Sequence, residues 1–356
     1  MNETMDRCDQ EYGYLLVHFI EDPTGYAEQI YMDRSDGDDP SRWIPLNEGR
    51  PILGSTLGTT GVRDPHIIRN PHTGIWYVIA TDLRVYGGET GSERGYDWYD
   101  WSHHGSTNLI VWQSPDLIQW SSPRTLDVSR RADGGRLRLG MAWACECLWV
   151  DDYYPPDHGG DRGAFVMYWS SKLFADDDPE HADESVHDTV LWGSTTDFTQ
   201  DTYRYGGVFI DTGGNSIDTT MVRCRRHGGA VRTYRITKDN SFDNGIWMDS
   251  TDGERWWEPH TRWTRVQNRI GAEYDSGNGV EGPAVFPVHG SADCPQWRLF
   301  VDVIPSIGYR PMVSDNLDEG WRPLDDPAFL LSPHTKHGGV ASLTRAEYDR
   351  VVATFG

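Results

Sequence analysis

Short apolar runs separated by polar turn clusters dominate the chain, and long helical periodicity is almost absent. Runs such as YGYLLVHFI, HIIRNPHTGIWYVIATDL, NLIVWQS, AFVMYWSS, TVLWGST and QWRLFVDV are rich in β-branched and aromatic residues. Turn signals such as NPHTG, RRHGG and HGSADCPQ divide them, so the pattern predicts short strands. A single helix is expected at the terminal TRAEYDRVV, where apolar residues fall near i, i+4 and i+8.

One theme recurs. After an apolar strand come Ser, then Asp one to three residues on, then usually an aromatic: MDRSDGDDPSRW, WQSPDLIQW, WGSTTDFTQDTY, MDSTDGERWWEP and VSDNLDEGW. The five copies are anchored at Ser35, Ser114, Ser194, Ser250 and Ser314, about 55–80 residues apart, a period that reads as propeller blades. Four copies are preceded by an opening strand: RDPHII, AWACECLWV, SIDTTMV and VEGPAVF. The copy at Ser35 has only YLLVHFI and EQIYMDRS before it, while HGGVASL near the C-terminus is left over. The economical closure makes that last strand the innermost of the fifth blade and gives its outer strands to the N-terminal segment, leaving no unpaired inner edge. The expected fold is therefore all-β, a five-bladed β-propeller, as one catalytic domain over residues 1–356 with 1–13 as a loose tail.

Composition agrees with this reading. The 356 residues include 16 Trp, 17 Tyr and 38 Gly with 37% hydrophobic content, which suits many short strands and turns better than helices. A net charge of −23 argues against nucleic acid or an anionic membrane as partner. Cys8, Cys145, Cys147, Cys224 and Cys294 are few and scattered; C-x-C at 145–147 lacks a second pair at zinc spacing, so burial is the expected role. The polar, acidic MNETMDRCDQEYG is no signal peptide, and no apolar stretch reaches membrane-spanning length. A cytoplasmic protein, or a module cut from a secreted enzyme, is the expectation.

The chemistry gathers at the mouths of the opening strands. VRDPHII carries Asp64, SIDTTMV carries Asp218 and VEGPAVF carries Glu281. Innermost strands line a propeller's axis, so three carboxylates from three blades would face one hollow. Pro65 biases Asp64 toward an extended conformation, and Gly282 permits close approach of ligand or backbone. Bunched acids raise the pKa of at least one member, which suits metal binding or acid–base chemistry. Glycoside hydrolysis needs little else: one protonated acid and one carboxylate, about 6.5–9.5 Å apart when water attacks with inversion.

At these residues the chain resembles glycoside hydrolase family 43, through GVRDPHI, WACE, SIDTT, EGP and KHGGV on successive inner strands. The resemblance implies that Asp64 is the general base, Glu281 the general acid, and Asp218 the carboxylate that orients the acid and raises its pKa. It implies an inverting exo-glycosidase acting on arabinose- or xylose-containing oligo- or polysaccharides, most like the α-L-arabinofuranosidase branch. β-Xylosidase, galactofuranosidase and endo-arabinanase stay open, as does a non-catalytic sugar-binding propeller. Trp143-Ala144-Cys145-Glu146 has Cys where the family often has Pro. There Trp143 is expected on the sugar face, with core burial equally compatible, and Glu146 on hydroxyls or bracing the pocket. Arg63 and Arg310 are candidates to fork onto the substrate. His337 matches a histidine that in some relatives faces the axial channel near an ion, often calcium; no other cofactor is implied, and an ordinary hydrogen-bonded role fits it equally.

Arg-Asp-Pro followed by Trp-Ala-Cys-Glu-Cys also resembles the invertase-like family 32, in which Glu146 would be the acid. The N-terminal YGYLLVHFIEDPTG lacks that family's Asn-Asp-Pro-Asn-Gly, and its Asp22-Pro23 follows an apolar strand instead of preceding one. The loop at 86–106 is expected to roof the funnel and that at 174–188 to lie on its rim.

Overall fold

Alternation along a strand sends neighbouring side chains to opposite faces, and here both faces are buried. Leu15 and Val17 join one apolar cluster while Tyr14 and Leu16 join another. Phe165, Met167 and Trp169 likewise face one way, Val166 and Tyr168 the other. Sheets covered on both sides must stack face to face, which is why the runs read as continuous apolar segments.

The computed structural model describes residues 10–21, 28–86, 97–225, 229–241, 245–275, 277–290, 296–305 and 307–356. They form five antiparallel sheets around an axis, a β-propeller. From the axis outward, the first blade is Val62–Arg69, Trp76–Asp82, Asn108–Ser114 and Arg124–Asp127. The second is Trp143–Val150, Ala164–Phe174, Asp188–Thr195 and Arg204–Ile210, with the short Arg138–Leu139 added against Ala164–Phe174. The third is Ser216–Arg225, Val231–Asp239, Ile246–Thr251 and Thr264–Ile270. The fourth is Val280–Pro287, Trp297–Val303, Gly308–Ser314 and Arg322–Pro323. Each pair of adjacent blades shares one apolar cluster, five in all.

The fifth blade closes the ring as its pattern requires. Thr335–Thr344 is its innermost strand and pairs antiparallel with Glu11–Ile20, followed by Tyr31–Asp36 and Asp39–Pro45. The inner strand of each blade packs beside the next, from Thr335–Thr344 round to Val280–Pro287 and back. Glu11–Gly13 lie in the paired strand and not in a tail; residues 1–9 and Asp22-Pro23 fall outside the described residues. The helix Arg345–Phe355 starts with a capping box between Thr344 and Glu347. Its Tyr348 hydroxyl accepts from Arg34 Nη1 at 2.8 Å and Gly37 N at 2.9 Å and donates to Ser35 O at 2.7 Å, fastening the helix to the N-terminal strands.

All five repeat serines stand at or one residue from the end of the third strand of their blades, and all are buried. At Ser114 the hydroxyl accepts the N–H groups of Asp116 and Leu117 while Asp116 accepts those of Ile118 and Gln119. The Ser–Asp pair thus satisfies the backbone of the turn to the fourth strand. Cys145 and Cys147 are buried in the cluster between the first two blades; Cys8 and Cys294 lie outside the described residues. No helix among the described residues is long and apolar enough to cross a membrane.

Candidate active site

All five inner strands carry one extra residue: in the fifth it lies between Thr335 and Gly338, around His337 and without a left-handed residue, and in the other four it falls at the same level. In those four the pairing slips between Arg63 and His66, between Trp143 and Glu146, between Ile217 and Thr219, and between Glu281 and Ala284. At each slip one residue has left-handed backbone: Asp64 (φ 49°), Ala144 (49°), Asp218 (51°) and Gly282 (54°). These are β-bulges, which re-aim a side chain and free an N–H from the ladder. For the three non-glycine residues the conformation costs on the order of 1 kcal/mol or more each, strain typical of functional positions.

The freed groups join the blades in sequence. Ala144 N donates to Thr81 Oγ1 of the first blade at 2.8 Å, Asp218 N to Ser170 Oγ of the second at 3.2 Å, and Gly282 N to Asp218 Oδ2 of the third at 3.2 Å. His337, on the fifth inner strand, completes the circuit. Its Nδ1 lies 3.5 Å from Asp64 Oδ1 and 4.0 Å from Asp218 Oδ1, and its Nε2 4.0 Å from Glu146 Oε1. Gly282 presses on its other side: a Cβ there would come 2.8 Å from His337 Cβ. A side chain at position 282 would push the imidazole off the carboxylates.

The arrangement assigns distinct electrostatic states. Burial would raise the Asp64 carboxyl, but the charged His337 ring at 3.5 Å, Arg63 and the Thr81 hydroxyl (2.9 Å to Oδ2) outweigh it and hold the group below the ordinary range. Burial pushes Asp218 up to about 6, opposed by His337 and helped by the charges of Glu281 and Asp64. Burial would lower His337, yet the Asp64 carboxylate 3.5 Å from its Nδ1 and the charges of Asp218 and Glu146 lift it to about 9. An imidazolium therefore sits among carboxylates at neutral pH.

Glu281 occupies a different tier. It precedes the bulge by one residue, as do Arg63, Trp143 and Ile217, so it stands nearer the mouth. Lys336 Nζ lies 3.9 Å from Glu281 Oε1, 2.8 Å from Asp302 Oδ2 and 3.6 Å from Glu21 Oε2. Asp302 is paired directly across from Glu281 on the next strand. Glu146 lies two residues past its bulge, as His66 and Thr220 lie past theirs, and forms a deeper tier with His66 Nδ1 3.7 Å from its Oε2. Burial lifts the Glu146 carboxyl to about 8 and drops His66 to about 4.

The structure thus brings Asp64, Asp218, Glu281, Glu146 and His337 together, and gives Arg63 and Arg310 partners within the protein. Arg63 is buried, with Nη1 3.1 Å from Glu28 Oε1 and Nη2 3.6 Å from Glu21 Oε1, and its guanidinium stacks on Phe19 at 4.6 Å. Its charge ties Glu28 and Glu21 together beside the mouth. Arg310 belongs to the third strand of the fourth blade, where Nη1 bonds the carbonyl of Tyr309 at 2.9 Å. Trp143 is half-buried and edge-on to Trp98 at 6.2 Å.

The ion expected near His337 would meet a ring already placed among three carboxylates. Both ring nitrogens face carboxylates, at 3.5 to 4.0 Å. Among the described residues no group of three or more His, Cys, Asp or Glu is arranged to hold a metal.

The roof expected at 86–106 lies outside the described residues over 87–96. Its remainder includes the helix Trp98–His103, which places Trp98, 47% exposed, 6.0 Å above the Arg63 guanidinium. The 174–188 loop docks against it: His181 Nδ1 bonds His103 O, and its ring stacks on Phe174 and His104. The sequence reading passed over Lys336, Asp302, His66, Thr81 and Trp98. Asp302 had a signal, a lone acid inside the apolar QWRLFVDV, and Lys336 adjoins His337 in KHGGV.

A family model described as a probable glycosyl hydrolase domain, related to family 43, matches residues 9–349. An α-L-arabinofuranosidase of Bifidobacterium longum subsp. longum is 30% identical over 286 residues, which is 74% of this chain and 24% of that protein. The chain thus spans about a quarter of the curated relative. Among solved structures, a thermostable family-43 glycoside hydrolase is 15% identical with a TM-score of 0.48, over 77% of this chain and 76% of its own. An exo-β-1,3-galactanase of Clostridium thermocellum is 14% identical with a TM-score of 0.48, over 86% and 58%. With a family match over nearly its whole length and a curated relative at this identity, the chain belongs to the family-43 glycoside hydrolases.

Proposed function

We propose that this protein is an inverting exo-glycosidase that removes terminal pentofuranosyl residues, α-L-arabinofuranose first among them. One observation carries the mechanism: a single histidine, His337, holds Asp64 while Asp218 is tied by hydrogen bond to the residue beside Glu281. Asp64, kept ionised, takes a proton from water as its oxygen attacks the anomeric carbon. Glu281 gives its proton to the glycosidic oxygen as the carbon–oxygen bond breaks. Asp218 holds the backbone of the acid in place through Gly282 N. The product carries the opposite anomeric configuration, and both carboxyls reset by exchange with solvent.

The choice of acid rests on access. Glu146, raised to about 8, has the protonation an acid needs, but only 6% of its side chain is exposed, against 28% for Glu281. A glycosidic oxygen has to reach the acid within hydrogen-bond distance, and Glu146 lies behind His337 and His66. The arabinofuranose preference is supported by the function named for the Bifidobacterium relative. A binding-only propeller would be expected to lack one of the three carboxylates, and this chain has all three. Assay of nitrophenyl α-L-arabinofuranoside, β-D-xyloside and β-D-galactofuranoside tests the reading. Release from the arabinofuranoside with anomeric inversion supports it, and oligosaccharide binding without turnover of any of the three overturns it.

A further inference from the structure

Beside the acid, between the fourth and fifth blades, lies a buried ion pair that the mechanism above leaves without a task. Lys336 Nζ sits 2.8 Å from Asp302 Oδ2, and the two side chains are 3% and 1% exposed. No hydroxyl or backbone N–H among the described residues donates to either Asp302 oxygen, so the ammonium is what answers its charge. Asp302 is paired directly across from Glu281 on the neighbouring strand, and Lys336 approaches Glu281 from the fifth inner strand, 3.9 Å from Oε1. Burial would lower the Lys336 ammonium, but Asp302, Glu281 and Glu21 outweigh it and keep the group charged. This placement holds a conflict. A cation beside a carboxyl favours the ionised form, whereas a general acid has to keep its proton until the glycosidic oxygen takes it.

We propose that Asp302 is a positioning residue for Glu281: it draws the Lys336 ammonium to itself and so sets the upper pH at which Glu281 still works as an acid. The distances carry this, 2.8 Å from Nζ to Asp302 against 3.9 Å to Glu281. Glu281 then faces a nearly neutral pair in place of a bare cation, and the charge of Asp302 adds its own repulsion to an ionised Glu281. The other charges acting on Glu281 have partners of their own: Asp218 faces His337, and Arg63 faces Glu28 and Glu21. Glu21 is shared between Lys336 and Arg63, 3.6 Å from each, so it does not neutralise Lys336 alone. The His337 charge also reaches Asp302, but Asp64, Asp218 and Glu146 surround it.

The inference deepens the acid role given to Glu281 and rests on that reading for its kinetic consequence alone. Two readouts test it together. One is the carbon-13 titration of the Glu281 carboxyl in protein labelled at glutamate Cδ, the resonance identified by its loss in Glu281→Gln. The other is the alkaline limb of kcat/KM on a substrate with a sugar leaving group. Asp302→Asn should lower both midpoints by about one pH unit, the low end of the shift caused by a close opposite charge, because Glu281 is partly solvated. Lys336→Met should raise both, and adding it to Asp302→Asn should reverse the fall. Burial lifts Asp302 to about 7, so its neutral form is already populated near neutral pH and asparagine is tolerated in its place. A carboxyl midpoint that Asp302→Asn leaves in place or raises, or a fall that persists when Lys336 is also replaced, would overturn the inference. Carboxyl midpoints that move as expected while the kinetic limb stays fixed would strike Glu281 as the acid and leave the inference standing.

Discussion

Gly282 and His337 are in forced contact: the glycine has φ 54° and leaves no room for a Cβ, which would lie 2.8 Å from that of His337. The carboxylate cluster therefore depends on the absence of a side chain next to the acid. Gly282→Ala should lower kcat by about a hundredfold or more and destabilise the fold by on the order of 2 kcal/mol, since strain at this conformation adds to the clash. Kinetics on an activated arabinofuranoside together with denaturant melts would check both parts.

The two carboxylates proposed as base and acid should respond differently to the leaving group. Asp64→Asn is expected to lose about a thousandfold or more in kcat on every substrate, because water always needs its base. Glu281→Gln should be as damaging on a sugar leaving group but within about tenfold of the parent on dinitrophenyl glycosides, which depart without protonation. If Glu146→Gln shows that pattern and Glu281→Gln does not, the assignment of the acid is wrong.

Glu146 gives a stability signature. Its folded carboxyl is raised to about 8, above the ordinary value of 4.5, so its contribution is fully present below about pH 4.5 and is lost as pH rises through 8. Glu146→Gln mimics the protonated form and should flatten the fall in melting temperature between pH 5 and 8. His337, raised to about 9 from 6.5, contributes below about pH 6.5 and loses that contribution as pH climbs through 9. His337→Gln should therefore alter the curve at higher pH, between about 7 and 9.

Closure of the ring predicts a stability effect far from the sugar. Tyr348→Phe removes a hydroxyl that bonds Arg34, Gly37 and Ser35 at once. It should cost about 1–3 kcal/mol, because a buried N–H is left without its partner. A urea midpoint shift at unchanged slope would show it.

Much of this was legible in the chain because its cues are local. Ser114–Asp116 is a turn that writes itself into the residue types, and five such turns give the blade count. Apolar runs such as WYVIA reveal strands buried on both faces. Asp64 and Asp218 were legible because each is an acid near the start of an opening strand, VRDPHII and SIDTTMV. The bulges themselves were hidden, since Asp64, Ala144, Asp218 and Gly282 share a backbone conformation and no side chain. For the same reason Glu281 was read as level with the two aspartates, although it precedes its bulge by one residue. Arg63 misled because an arginine beside a catalytic acid looks like a substrate ligand until Glu28 and Glu21, remote in sequence, are placed next to it.

The pairing of Thr335–Thr344 with Glu11–Ile20 also sets an order of events during synthesis. Glu11–Ile20 is made well before Thr335–Thr344 and must wait for it before their sheet has its inner member. Until then the first and fourth blades each keep one apolar flank bare, and His337 has not arrived between its acids. A nascent chain stalled short of residue 335 would thus bare apolar surface and lack the cation among its carboxylates.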